Sequence, residues 1–403
     1  MSPESTYFRK GFGLKTEVQD TLSADYTGQL VDLLRARDYT LSHGAVTVRL
    51  AKEFGFCYGV ERAVEYAYQA RAKFPERRIY LAGEIIHNPH VNAKLREMGV
   101  IFLQPGETGF DYTGVKPEDV VILPAFGVTI GDFETLRAIG CVMVDTTCGS
   151  VLNVWKRVEN YAKDTFTSLI HGKYYHEETR ATASQVEKYP GGTYLVVRNM
   201  EQAMDVCGYI EGNGLTRDAF LDKYRKQASP TFDPDVHLLR VGVANQTTML
   251  ARESLAIGDE VGKAMARRHG EAHRAEHFRT FDTICSATQD RQDAVNELLR
   301  EPLDVMLVIG GYNSSNTISL AALGAERVPT YHVADANCID VENGTIRHIP
   351  PGTTVEVETP DWLASAGDVR VGITAGASTP NNKIGEAVSR VFATRGIDVS
   401  QIV

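Results

Sequence analysis

Three cysteines in this 403-residue chain share one local setting. Cys57 lies in "VTVRLAKEFGFCYGVERAVEYAYQA", Cys148 in "GCVMVDTTCGSVLNVWKRVENYA" and Cys285 in "FRTFDTICSATQDRQDAVNELL". Each follows a short β-like run and opens a helical pattern, with Arg62, Arg157 and Arg291 in the first turns. Val60, Val64, Ala67 and Tyr68 recur at helical spacing, as do Val151, Val154, Val158 and Tyr161; Ala287, Ala294, Leu298 and Leu299 do so less regularly. Thiolates are metal ligands, and helix N-termini favour anions. Three together can hold zinc, form a redox disulfide or bind an iron–sulfur cluster. Zinc knuckles need closely spaced pairs, and the chain has no CxxC. A cubane cluster takes four thiolates, so three would leave one iron open as a Lewis acid for a substrate oxygen. Cys141 and Cys207 sit among apolar neighbours and read as structural, and Cys338, in "DANCIDVENG", reads as a loop thiol.

The elements that must position these groups repeat. Roughly 30 residues after each cysteine, one βαβ step, an apolar run ends in polar groups: "IYLAGEIIHNP" with His87, "SLIHGKYYHEET" with His176 and Glu178, and "VMLVIGGYNSSN" with Ser314, Ser315 and Asn316. A further strand-then-polar stretch follows in each: "VVILPAFGV", "LRVGVANQTTM" with Thr247, and "VRVGITAGAST" with Ser378. The pattern predicts an α/β fold of three similar modules with small, mostly parallel sheets. The expected division is an N-terminal extension over 1–47 packed on the first module, modules over 48–147, 148–284 and 285–381, and a C-terminal helical tail over 382–403. A surface insertion is expected at about 212–236, and Ile384, Ala387, Val388, Val391 and Phe392 make the tail helix amphipathic. Parallel sheets bind ligands at the carboxyl ends of their strands. If the modules face one another, Cys57, Cys148 and Cys285 meet at one centre. His87, His176, Glu178, Thr247, Ser314, Asn316 and Ser378 then ring it, and helix N-termini suit it to an anion.

Length suggests two or three domains. A net charge of −10 argues against a general nucleic-acid binder. No apolar run is long enough for a membrane helix, and "MSPESTYFRKGFG" is neither a secretory signal nor a transit peptide in composition. The expected location is the cytoplasm, or a plastid stroma if a transit peptide was removed. Six scattered cysteines do not form a disulfide framework.

The motifs "GFCYGVERAV", "EIIHNP", "DTTC", "HGKYYHEET", "ANQTTM", "TICSATQDRQDAV", "GGYNSSNT" and "GITAGASTP" occur in the order found in one family. From about Val46 to the end, the chain resembles the 4-hydroxy-3-methylbut-2-enyl diphosphate reductase (IspH/LytB) family, and "FRKGFG" resembles the extension of its plant and cyanobacterial branch. The resemblance implies a pseudo-threefold trefoil around a [4Fe–4S] cluster, with Cys57, Cys148 and Cys285 as ligands. It implies reductive dehydroxylation of that substrate to isopentenyl and dimethylallyl diphosphate, the last step of the non-mevalonate (MEP) isoprenoid pathway. Two electrons pass through the cluster, whose open iron binds the substrate hydroxyl. Glu178 matches the proton-relay glutamate and Thr247 the threonine that holds the hydroxyl. His87, His176, Ser314, Asn316 and Ser378 match diphosphate-binding positions, and Ser315 shares their motif. Two departures stand out. Phe126, in "PAFGV", replaces the histidine of many bacterial members, a change usual in the plant and cyanobacterial branch. "TCGSV" replaces the commoner "TCP".

Each residue also has an ordinary reading. His87 and His176 singly would be structural or surface histidines, Glu178 a helix-start charge, Thr247 a packed β residue and "NSSN" an N-cap turn. His269, His273 and His277 have zinc-compatible spacing, but "HGEAH" is not HExxH, and a solvated helix face is expected. "HGKYY" lacks the rest of a P-loop. Two rival functions use the same cysteines: a zinc hydrolase or lyase, and a non-catalytic iron–sulfur sensor or scaffold. No GxGxxG follows a strand, so electrons are expected from an external one-electron carrier, ferredoxin first and flavodoxin second.

Overall fold

The computed structural model describes residues 6–106 and 109–401. Residues 1–5 of the expected extension and 402–403 of the tail lie outside the described residues. The chain forms two compact units. The first comprises residues up to Lys10, Glu76–Ile85 and Gly99–Cys285; the second comprises Gly11–Pro75, Ile86–Met98 and the chain from Ser286.

The first unit holds two parallel sheets. One runs in the order Tyr7–Phe8, Val142–Asp145, Val120–Leu123, Ile79–Ala82, Val100–Leu103. Its three central strands are buried at every residue, which explains why they read as continuous apolar runs without alternation. The other runs Phe278–Thr280, Val241–Asn245, Thr167–His171, Tyr194–Val197. Most residues of the segment at 212–236 are exposed, as a surface insertion requires, but it is pinned by aromatic anchors. Phe220, Tyr224 and Phe232 join the core over the second sheet, and the rings of Phe220 and Tyr224 lie 4.7 Å apart. Aromatic burial of this kind anchors a segment whose other residues are largely polar and exposed.

The second unit holds the sheet Thr330–Val333, Val305–Ile309, Val369–Ala375, Val46–Leu50, Thr40–His43, parallel except for the last pair. A three-stranded antiparallel sheet, Ile339–Asp340, Thr345–His348 and Val357–Pro360, adds to it. The strand before Cys57 thus lies beside Val369–Ala375, with Val46, Val48 and Leu50 buried in one core with Val369, Val371 and Ile373. Leu30, Val31 and Leu34 of the extension enter that same core, while Tyr7–Phe8 edges the first sheet. The tail helix Asn381–Ala393 buries Ile384, Ala387, Val388, Val391 and Phe392 there, the stripe its periodicity predicts.

Each cysteine follows the same junction. Val46–Leu50 leads to Cys57 and the helix Tyr58–Lys73; Val142–Asp145 leads to Cys148 and Gly149–Lys163; Phe278–Thr280 leads to Cys285 and Ser286–Leu298. The architecture is the α/β class that the strand–helix alternation predicts. No helix among the described residues is long and apolar enough to cross a membrane.

Candidate functional site

None of the six cysteines is disulfide-bonded, and they divide by access. Cys57, Cys148 and Cys285 are partly exposed, whereas Cys141, Cys207 and Cys338 are buried. Burial pushes the Cys141 and Cys207 thiols up to about 11, which makes them inert at neutral pH. Cys338 is not the loop thiol expected. It ends a short 3-10 turn, packs in the core of the second unit and lies 3.7 Å from the Tyr312 hydroxyl. Cys57 and Cys148 occupy the N-cap positions of their helices, and Cys285 directly precedes its helix. At such positions the sulfur sits beside the free N–H groups of a helix start. The donor set therefore fits an electrophilic metal group that takes three thiolates.

In the first unit, the strand ends place Glu178, Thr247 and Cys285 in series. Glu178 is 1% exposed. The Thr247 amide donates to its Oε1 at 2.6 Å, and the Thr247 hydroxyl donates to its Oε2 at 3.1 Å. The Thr247 carbonyl accepts from the Cys285 amide at 3.2 Å. The Thr283 hydroxyl accepts from the Asn245 amide at 2.7 Å and so ties the approach to Cys285 to a strand end. Both Glu178 oxygens accept a hydrogen bond from Thr247, so the carboxyl is held in one orientation. The adjacent Glu177 side chain is 43% exposed and lacks this setting.

His176 caps the helix Glu177–Ser184, its Nδ1 accepting from the Glu178 amide at 3.1 Å. In the neutral ring, Nε2 then carries the proton. The Phe126 ring meets the His176 ring edge-on, with centroids 5.5 Å apart, so it supports the imidazole without offering a donor. The Cys148 amide donates to Ala125 O at 3.0 Å, which brings the Phe126 turn beside the second cysteine. Gly127 is required there: its φ is +76°, and a Cβ would meet Trp155 at 2.4 Å.

In the second unit, His87, Ser314, Ser315, Asn316 and Ser378 gather about two strand ends. The Asn313 amide group donates to His87 Nδ1 at 3.1 Å, so the neutral His87 ring also carries its proton on Nε2. Ser378 donates to His87 O at 3.2 Å. Asn316 Oδ1 accepts from the Ala377 amide at 2.9 Å, and the Ala377 carbonyl accepts from the Cys57 amide at 3.2 Å. Asn316 Nδ2 is buried without a hydrogen-bond partner, the signature of a donor awaiting a ligand acceptor. Ser314 caps the helix Ser315–Ala325 by accepting from the Thr317 amide. The N-cap reading of "NSSN" is therefore correct, and a cap leaves the helix start open to an anion.

The sequence reading missed one residue and the role of another. Gln246 Oε1 accepts from the Lys173 amide and the Thr179 hydroxyl, both at 3.1 Å, and fixes the loop carrying Thr247. Its place beside Thr247 was the only signal. Arg291 is 4% exposed and donates to Ala287 O and Gly55 O, so it holds the turn before Cys57. Its first-turn position was visible; its partner was not. The three histidines 269, 273 and 277 do not share one helix face. The helix Ala251–His269 ends at Gly270, and the His269 and His277 rings stack with centroids 3.7 Å apart.

The LytB protein family matches residues 48–392. The 4-hydroxy-3-methylbut-2-enyl diphosphate reductase of Gloeobacter violaceus is 49% identical over 399 residues, covering 98% of this chain and 94% of its own. The enzyme of the same name from Thermosynechococcus vestitus is 48% identical over 392 residues, covering 97% and 95%. A solved (E)-4-hydroxy-3-methyl-but-2-enyl diphosphate reductase, described as the terminal enzyme of the non-mevalonate pathway, aligns at TM-score 0.50 and 28% identity over 86% of this chain and 99% of that one. The E-1-hydroxy-2-methyl-but-2-enyl-4-diphosphate reductase of Plasmodium falciparum shares the fold at TM-score 0.62 and 21% identity, covering 86% and 87%. With the family match spanning most of its length and relatives nearly half identical end to end, the chain belongs to the LytB family.

Proposed function

We propose that the chain reduces 4-hydroxy-3-methylbut-2-enyl diphosphate to isopentenyl and dimethylallyl diphosphate, with Cys57, Cys148 and Cys285 holding one [4Fe–4S] cluster. Family membership and the Glu178–Thr247–Cys285 hydrogen-bonded series carry this reading. The cluster, when bound, supplies electrons one at a time and Lewis acidity. The protein's own residues do the rest. Two electrons and two protons replace the allylic hydroxyl by hydrogen and release water. Hydroxide is a poor leaving group, so an acid is needed; Glu178 holds that proton on a carboxylate oxygen. Thr247 orients the carboxylate and shares its hydroxyl with the substrate hydroxyl.

His87 and His176 then bind the diphosphate through their rings, and Ser314, Ser315, Asn316 and Ser378 complete a cradle of neutral donors. This suits an acidic chain, which must bind an anion through local N–H and O–H groups. Electrons come from an external one-electron carrier, ferredoxin before flavodoxin. The three-module division of the chain around one centre is part of the same proposal.

The test is anaerobic turnover of the reconstituted protein with reduced methyl viologen, beside Glu178→Gln at equal cluster content. Wild-type turnover with a loss of about 10²–10⁴-fold in the variant is expected. A fully loaded wild type without turnover overturns the reading in favour of a sensor or scaffold.

A further inference from the structure

The chain carries a net charge of −10, yet one region of the first unit is strongly cationic. The helix that starts at Cys148, Gly149–Lys163, exposes Lys156 and Lys163. Arg157 of that helix covers the Phe281 ring, with its guanidinium carbon 3.6 Å from the centroid, while Phe281 stays 43% exposed. Phe281 lies four residues before Cys285, so this contact ties together the segments that deliver two of the three junction cysteines. Beside it, Arg240 and Arg279 lie over the Phe166 ring at 4.2 and 4.3 Å.

These segments carry five cations against three carboxylates: Glu159, Asp164, which pairs with Arg279, and Asp282. Arg240 hydrogen-bonds to Glu276 O, Asp164 O and the Thr165 hydroxyl rather than to a carboxylate. Glu159, on the same helix, is paired with Lys188 at 2.6 Å.

A cationic region on an acidic protein steers an acidic partner to one place and repels it elsewhere. Exposed aromatic and arginine side chains are the groups that anchor such encounters. The region also lies close to the junction cysteines along the chain. Arg157 is about 13 Å along its helix from Cys148 at 1.5 Å per residue. Four extended residues from Phe281 to Cys285 span at most about 14 Å.

We propose that Lys156, Arg157, Lys163, Arg240, Arg279 and Phe281 form the docking surface for a small acidic protein that carries a one-electron centre. The proposal rests on the reductase reading, in which electrons enter from outside the chain. Electrons then enter from the Cys148 and Cys285 side of the first unit.

The test compares two electron sources for the reconstituted holoenzyme: reduced methyl viologen, and a reduced acidic ferredoxin. K156E/K163E alters two exposed side chains outside the proposed catalytic residues, and R225E/K226E makes the same charge change on an exposed segment elsewhere. The expected result is a rise in KM for ferredoxin of about tenfold in K156E/K163E, with dye-driven kcat unchanged and R225E/K226E behaving as wild type. Wild-type KM for ferredoxin should also rise with salt, and much less so in K156E/K163E. An unchanged ferredoxin KM with normal dye-driven turnover overturns the docking surface alone. Equal losses in both charge-reversal variants overturn it too, because they assign the effect to overall charge. Absence of dye-driven turnover in the wild type overturns the reductase reading, and the docking proposal with it.

Discussion

Replacing Thr247 by valine puts a methyl group where a hydroxyl donates to Glu178 Oε2 at 3.1 Å, at a position only 4% exposed. The amide bond from Thr247 to Glu178 Oε1 survives, because it comes from the backbone. The change therefore removes one of the two Thr247 donors to a buried carboxylate without changing side-chain volume. Removing the donor of a buried acceptor costs about 1–3 kcal/mol, so Thr247→Val should destabilise the first unit by about 2 kcal/mol. Thr247→Ser keeps the donor and should lose much less. In a Glu178→Gln background the carboxyl acceptor is absent, and the same valine should cost less, about 1 kcal/mol. The assay is urea unfolding of metal-free protein at pH 7. Trp155 is the reporter, since its Nε1 donates to Thr182 of the helix that bears Glu178. Trp362 lies in the core of the second unit and is replaced by phenylalanine throughout to isolate that signal. Equal losses from valine and serine, or equal losses from valine in both Glu178 backgrounds, would refute the claim that the Thr247 hydroxyl donates to the Glu178 carboxyl.

Two further outcomes are expected. Cys57→Ser, Cys148→Ser and Cys285→Ser should each prevent the absorption at about 400 nm that a reconstituted cluster gives, while Cys141→Ser, Cys207→Ser and Cys338→Ser retain it; a fully coloured Cys57→Ser protein would remove that residue from the ligand set. Burial pushes His171, in the first unit, and His332, in the second, down to about 4. Their unfolded-state value is about 6.5, so the unfolded chain binds more protons between these limits. The stability they contribute is whole above about pH 6.5 and is lost as pH falls toward 4, at most about 3 kcal/mol for each. Urea midpoints measured from pH 7 to 4 should fall, and less steeply in His332→Gln; parallel slopes would contradict the assignment.

What could be read from the sequence was local. Runs such as "IYLA", "VVIL" and "VMLVI" are buried at every residue, so composition alone identifies them as interior strands. The step from strand to cysteine to helix is also local and is found at all three sites. Pairing is not local. Nothing in Val46–Leu50 distinguishes a neighbour at Ile79–Ala82 from one at Val369–Ala375, since either would cover the same valines. The turn-rich chain around the small antiparallel sheet gave no strand signal, because its segments are short and partly exposed. Within the candidate site, residue types marked Glu178 and Thr247, but their mutual bond and the bracing by Gln246 and Arg291 depend on which strand ends lie together. Chain position also misleads at Cys338, whose polar neighbours in sequence conceal an apolar core in space.

The pairing of Val46–Leu50 with Val369–Ala375 also sets an order of events during synthesis. An early strand waits, with its valines uncovered, until more than three hundred residues have followed it off the ribosome. The two sheets of the first unit draw on strands ending at Thr280, so they can form sooner. Cys57 is held through Ala377, near the end of the chain, and is therefore fixed last. Long-range closure of this kind is slow and leaves strand edges open to misassembly. A chain stopped short of Val369 would keep Cys148 and Cys285 on a folded frame and leave Cys57 after a strand paired only with Thr40–His43. Completing the polypeptide is thereby a checkpoint on fixing Cys57.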